Sequence, residues 1–297
     1  MTRFILILVM LVMASQALAA TATDSVPAAA TAIQTHLNVF YGADASQPDR
    51  ELQTLDVYWS GSPKKRVEKQ PVIIYLHGGG WAFGDKSDIN NKADYFVPNG
   101  FALVSINYRL RWDYQLFDQL EDVVAAILWV RKNANTYGLD SSRVVLMGHG
   151  AGGHLASLIG TDARHLKGQG LALKDIRAVV AIDSLSFDIP RVHKELGSFV
   201  QRRQHRLVFG EEISVQREAS PIYHVRPDKQ MPSFALLYEP DNEGSTLQAQ
   251  GFAKALNDAK VSAVMIPGNS ESNFSINVEL GSPGDVPTGA LMAFLRA

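Results

Sequence analysis

Apolar runs of strand length recur along the chain, separated by longer segments in which apolar residues return every three or four positions. Residues 55–59 (LDVYW), 71–78 (PVIIYLHG), 101–108 (FALVSINY), 143–148 (RVVLMG), 176–183 (IRAVVAID), 233–239 (SFALLYE) and 262–268 (SAVMIPG) are expected strands. Most lack polar alternation, which predicts a sheet covered on both faces. Residues 119–138, 152–160, 245–259 and 288–297 are expected helices. Strand and helix in alternation predict an α/β fold with a mostly parallel central sheet between helices, and such sheets bind ligands beyond the carboxyl ends of their strands. Residues 185–230 break the alternation with scattered charges and are expected as an insertion over that end. Residues 20–36, rich in Ala and Thr, are expected as a loose lead-in.

Composition narrows the partners. The chain has 297 residues, 28 Lys plus Arg against 30 Asp plus Glu, and a net charge of −2. Nothing in that balance attracts nucleic acid or an anionic membrane to the molecule as a whole, so a small ligand is expected. The first 19 residues combine Arg3, an apolar stretch from Phe4 to Met13, and Ala17-Leu18-Ala19, the pattern of a signal peptide. The stretch is shorter than the roughly 20 residues that span a bilayer, which disfavours an anchor. The expected mature protein is therefore a single domain, residues 20–297, secreted or periplasmic and free of the membrane. With no cysteine it holds together by its core alone. The eight histidines and the acids show no zinc-type spacing, and neither a metal nor a cofactor is expected.

Two motifs carry chemistry. "LHGGGWAFGDK" (76–86) places three glycines after a strand, where backbone N–H groups can converge on one oxygen; a plain tight turn is the alternative. "VVLMGHGAGGHLASL" (144–158) has the strand-turn-helix pattern of a nucleophile elbow, G-x-S-x-G, but Gly150 stands where that motif has serine.

Together with "NYRL" (107–110), "DVVAAILWVRKNANTYGLDSSRVVLMGHGAGGHLA" (122–156) and "ASPIYHV" (219–225), these motifs resemble the α/β-hydrolase superfamily. The resemblance is to its hormone-sensitive-lipase-like carboxylesterases and arylformamidase-type relatives. It implies a Ser-acid-His triad in that chain order. By resemblance the nucleophile position is Gly150, the acid is Asp241 in "LLYEPDNEG", and the base position is Asn273 in "IPGNSESNFSIN". Asp241 as a turn or cap residue is the alternative. The oxyanion donors implied are the N–H groups of Gly79, Gly80 and Ala151. His149 and His154 are expected in packing or supporting roles.

Glycine offers no atom to attack a carbonyl, and the Asn273 amide cannot take a proton near neutral pH. Two classes of function stay open: a pocket for a small ester or carboxylate that has lost the serine mechanism, or an esterase with a rewired site.

Overall fold

The computed structural model describes residues 32–47, 49–61, 68–195, 199–227, 229–269 and 275–297. Its centre is an eight-stranded sheet in the order β1-β2-β4-β3-β5-β6-β7-β8. The strands are β1 (Ile33–Phe40), β2 (Thr54–Ser60), β3 (Gln70–Leu76), β4 (Ala102–Ile106), β5 (Leu139–His149), β6 (Ile176–Ile182), β7 (Ser233–Tyr238) and β8 (Ala263–Pro267). β1 and β2, and β2 and β4, pair antiparallel; every pairing from β4 through β3 to β8 is parallel.

The unalternated runs mark strands covered on both faces. Val144–Met147 of β5 and Ala178–Ile182 of β6 are buried throughout, because helices lie above and below them. The helices are α1 (Lys92–Phe96), α2 (Leu116–Tyr137), α3 (Ala151–Thr161), α4 (Arg164–Lys167), α5 (Ile189–Glu195), α6 (Phe199–Phe209), α7 (Ile213–Glu218), α8 (Glu243–Asp258), α9 (Ile276–Glu279) and α10 (Val286–Arg296). One core cluster joins α2, α3 and α8 to one face of the sheet, and a second joins α1, α9 and α10 to the other.

Local sequence sets the ends of the long helices. At α2, Gln115 N–H donates to the Asp118 carboxylate at 2.6 Å, and Gly138 closes the helix in the left-handed conformation at φ 69°. At α10, Asp285 accepts from Thr288 N–H at 3.0 Å.

The seven expected strands all form, as do the four expected helices. Residues 185–230 do interrupt the alternation: they hold α5, α6, α7 and a short 3-10 turn at Pro221–His224. The expected loose lead-in needs correction, since Ile33–His36 open strand β1. β1 was not legible because it is an edge strand with five consecutive exposed positions, Gln34–Asn38, so it shows no apolar period. The proposed signal peptide, residues 1–19, lies outside the described residues. Among those described, no helix is long and apolar enough to cross a membrane.

Candidate active site

β5 ends in a sharp turn and α3 begins at Ala151, so the elbow expected from the sequence is built. At its apex Gly150 has φ 50° and ψ −110°. An L side chain pays about 1–3 kcal/mol in such a region, and glycine does not. Gly150 N–H donates to Ile182 O on β6 at 2.8 Å, and Gly150 O accepts from His154 N–H at 3.1 Å. A Cβ placed on Gly150 would meet no heavy atom within 4 Å. The apex therefore faces space that no side chain of the described residues fills.

The turn after β3 lies beside it. Gly79 has φ 115°, and a Cβ there would collide with Phe83 O. Gly79 O accepts the N–H groups of Ala82 at 3.3 Å and Phe83 at 3.1 Å, which coils the turn back on itself. The N–H groups of Gly79, Gly80 and Ala151 make no hydrogen bond among the described residues, so they remain available to an incoming oxygen.

Trp81 pins this turn. Its backbone lies at φ 65°, an unfavourable value for a bulky residue, and its carbonyl accepts Arg111 N–H and the Gln119 side-chain amide, both at 2.8 Å. Its indole N–H donates to His154 Nδ1 at 3.2 Å, and His154 Nε2 donates in turn to Ala219 O at 2.7 Å. His154 is fully buried between these partners, and burial pushes its pKa down to about 4. It is a neutral structural histidine linking the turn, α3 and the insertion. His149 packs against Gly78 beneath the turn, and burial lowers its pKa too. His77 stacks on Tyr108 with ring centroids 4.3 Å apart, and its Nδ1 donates to Gly78 O at 2.7 Å.

Two carboxylates lie near the expected acid position. Asp241 is exposed, in the turn after β7, and its carboxylate has no hydrogen bond or ion pair among the described residues. Glu239, the first residue after β7, is half-buried, and its Oε1 accepts Ile276 N–H of α9 at 2.7 Å. It thereby anchors the start of α9. Burial pushes its carboxyl above the usual range, Ile276 N–H opposes this, and Asp183 adds to it. Both carboxylates follow the same strand two positions apart, and the sequence carries no signal for which one turns inward. Asn273, the base position, lies outside the described residues.

Helix α6 covers the turn from the insertion. Gln204 Nε2 donates to Gly80 O at 3.4 Å, and the His205 and Phe209 rings pack edge-on against Trp81, at 5.6 and 4.9 Å between centroids. Below them Ser186 Oγ, from the loop after β6, lies 3.3 Å from His205 Nε2. No motif in the sequence marks this pair, whose members lie 19 residues apart.

A strand order of 1-2-4-3-5-6-7-8, an elbow between β5 and α3, and a glycine turn after β3 with free N–H groups are the parts of an esterase-type α/β-hydrolase. The BD-FAE family model matches residues 55–256, about two thirds of the chain, which includes both turns. The chain belongs to the BD-FAE family. Among curated proteins, this family member is 34% identical over 120 residues to Carboxylesterase NlhH of Mycobacterium tuberculosis, covering 40% of this chain and 36% of that protein. It is 29% identical over 227 residues to Esterase LipQ of the same species, covering 73% of this chain and 52% of that one. The matches thus span about a third to a half of those relatives' lengths. Among solved structures, Esterase B from Lactobacillus rhamnosis superposes with a TM-score of 0.72 at 21% identity, covering 89% of this chain and 84% of that one. A truncated carbohydrate esterase from gut microbiota superposes at 0.71 with 21% identity, covering 91% and 98%. At such identities these structures establish the fold.

Proposed function

We propose that this esterase-type α/β-hydrolase is impaired in the serine mechanism and keeps its oxyanion turn as a pocket for a small ester or carboxylate. Gly150 carries the reading: it occupies the elbow apex with elbow dihedrals, and the space a side chain would enter is open. Three N–H groups without acceptors among the described residues stand ready for an anionic or carbonyl oxygen, while residue 150 has no side-chain atom to attack. Asn273 at the base position supports the same reading from the sequence. We assign the acid position to Glu239 in place of Asp241, on its contact with α9. No cofactor or metal is needed, and a leader at residues 1–19 would place the mature chain in a secreted or periplasmic setting.

The deciding experiment pairs a fluorophosphonate serine probe with p-nitrophenyl acetate and butyrate, and follows melting temperature against a series of short carboxylates. The expected result is no serine-dependent turnover above a heat-killed control, together with stabilisation by carboxylates. Probe labelling with turnover at ordinary esterase rates refutes the reading.

One observation favours a second reading, an esterase with a rewired site. The Ser186–His205 pair sets a hydroxyl at 3.3 Å from an imidazole beside Trp81. Both residues are buried, which disfavours attack on a substrate held at the glycine turn. Probe labelling mapped by mass spectrometry to Ser186, and abolished by His205→Ala, would establish this alternative.

A further inference from the structure

One side chain of the insertion rests directly on the glycine turn. A Cβ on Gly80 would collide with Gln204 Nε2, so the carboxamide occupies the place where any other residue would carry its side chain. Nε2 makes one hydrogen bond among the described residues, to Gly80 O at 3.4 Å, and Oε1 makes none. The Gly80 carbonyl fixes the direction of the amide, because Oε1 turned toward it would set acceptor against acceptor. Oε1 accordingly lies farther out, 3.6 Å from the same Cβ position. The second N–H of Nε2 is left without an acceptor on a half-buried side chain.

Helix α6 holds this amide in register with the turn from both sides. The rings of His205 and Phe209 pack edge-on against Trp81, and Arg111, whose N–H donates to Trp81 O, gives its Nε to Leu207 O at 2.8 Å. Because Cβ and N share the Gly80 Cα, Nε2 lies within roughly 4 Å of the Gly80 nitrogen. A group that accepts from Gly80 N–H is therefore met by the amide as well.

What this end of the pocket offers is donors: the main-chain N–H groups and the Gln204 amide. An ester presents one good acceptor, its carbonyl oxygen, and leaves a donor unpaired. A carboxylate presents two oxygens on one carbon, both charged, and charge-assisted hydrogen bonds are roughly twice as strong as neutral ones. We propose that Gln204 contacts the ligand, its free N–H taking one oxygen of a carboxylate while the glycine turn takes the other, so that the pocket selects small carboxylic acids in their ionised form over their esters. The assignment rests on the turn being a ligand pocket, as proposed above, and narrows the ligand to the acid. Asp183, next to the Ile182 carbonyl that holds Gly150, opposes an anion at the elbow and lowers the affinity of every Gln204 variant alike.

Isothermal titration of the full chain with butyrate and with methyl butyrate, which shares the acyl chain and lacks the charge, tests the selection. The unmodified chain should bind butyrate about tenfold more tightly than the ester, or better. Gln204→Met, which keeps the volume and removes the N–H, should weaken butyrate by about tenfold and the ester by less, so that the preference shrinks. Gln204→Glu should remove butyrate binding, since a carboxylate then faces a carboxylate. Leu207→Gln, on the exposed side of α6, should change neither ligand. Circular dichroism reports folding, and the Met variant decides if the Glu variant does not fold. Butyrate binding that Gly79→Val abolishes, but whose preference over the ester Gln204→Met leaves unchanged, keeps the pocket and overturns the role of Gln204. Equal loss of both ligands in Gln204→Met makes the side chain a wall and overturns it too. Binding of neither ligand by the unmodified chain overturns the pocket itself, and the assignment with it.

Discussion

Lys92 is a fully buried lysine without a carboxylate partner among the described residues, and replacing it with methionine should reshape how stability depends on pH. Its Nζ donates to Asn277 O at 2.7 Å and Ile89 O at 3.4 Å, and it sits 5.0 Å from the centre of the Tyr75 ring. Two carbonyls and a ring face do not offset the loss of water around an ammonium, so burial lowers its pKa from 10.5 to about 7. An unfolded chain recovers the ordinary value. Between about pH 7 and 10.5 the unfolded state thus binds more protons, and stability rises with pH; below 7 both states are charged and the burial cost is present in full.

The slope in that window is about 1.4 kcal/mol per pH unit, so roughly 3 kcal/mol accrues from pH 7 to 9.5. For a chain of this size that corresponds to about 5 °C in melting temperature. Lys92→Met keeps most of the side-chain volume and removes the titration. It leaves Asn277 O without its donor, at a cost of about 1–3 kcal/mol that does not vary with pH. The difference in stability between unmodified chain and variant should therefore grow steadily in favour of lysine as pH rises from 7 to 9.5. Burial raises the pKa of Tyr75 well above its ordinary value and that of Tyr58 to about 12, and tyrosine effects stay small if measurement stops at about pH 9.5. Urea unfolding of both proteins at half-unit steps provides the test. Parallel stability curves would refute the argument, because they would mean that Lys92 keeps its ordinary pKa in the folded chain.

Four further outcomes follow from the site. Gly150→Ser alone should yield little esterase activity and lower stability by about 1–3 kcal/mol, a conformational cost only, since the space beyond a Cβ is open; turnover and urea unfolding measure both. Gly150→Ser with Asn273→His should restore ester hydrolysis, and Glu239→Gln added to that pair should reduce kcat by more than tenfold whereas Asp241→Asn should not; the reverse ranking would return the acid to Asp241. Gly79→Val should abolish stabilisation by carboxylates, read as thermal shift, because its side chain collides with Phe83 O and disorders the N–H donors. His154, with a folded pKa of about 4 against an ordinary 6.5, stabilises in its neutral form, and that stability is lost as pH falls below 6.5 towards 4, by about 3 kcal/mol; His154→Gln should flatten acid unfolding over that interval.

The fold was legible wherever burial leaves a period in the sequence. β3 through β7 are apolar without alternation because helices cover both faces, and that is a strong signal. β1 has none, since five consecutive residues face water. The backbone part of the site was equally legible, because Gly79 is required by its φ and its close approach to Phe83 O, and Gly150 is favoured by its φ. Side-chain direction was not. "YEPDNEG" holds three carboxylates within five residues, and only the packing of the loop after β7 against α9 turns Glu239 inward. Likewise nothing in "FVQRRQHRLVF" announces that Gln204 and His205 fold onto the glycine turn while Arg203 and Leu207 face out.

On the proposed reading, the two halves of this site rest on different supports, and the donors can persist without the nucleophile. The donors are main-chain groups whose placement follows from the β5–β6 ladder, from the start of α3, and from Trp81 with its clasp on His154, Arg111 and Gln119. None of those contacts involves a nucleophile or a base. The nucleophile position, by contrast, is a single residue at the elbow apex, and no hydrogen bond among the described residues needs a side chain there. At the elbow, removal even relieves strain, since the dihedrals of residue 150 are fixed by its N–H bond to Ile182 and its carbonyl bond from His154 whichever residue stands there. Once hydrolysis no longer matters, glycine is the residue that this backbone favours. Selection for stability then acts against serine at 150 and for the contacts that hold the glycine turn, so a pocket with intact donors and no nucleophile is a stable state of the fold.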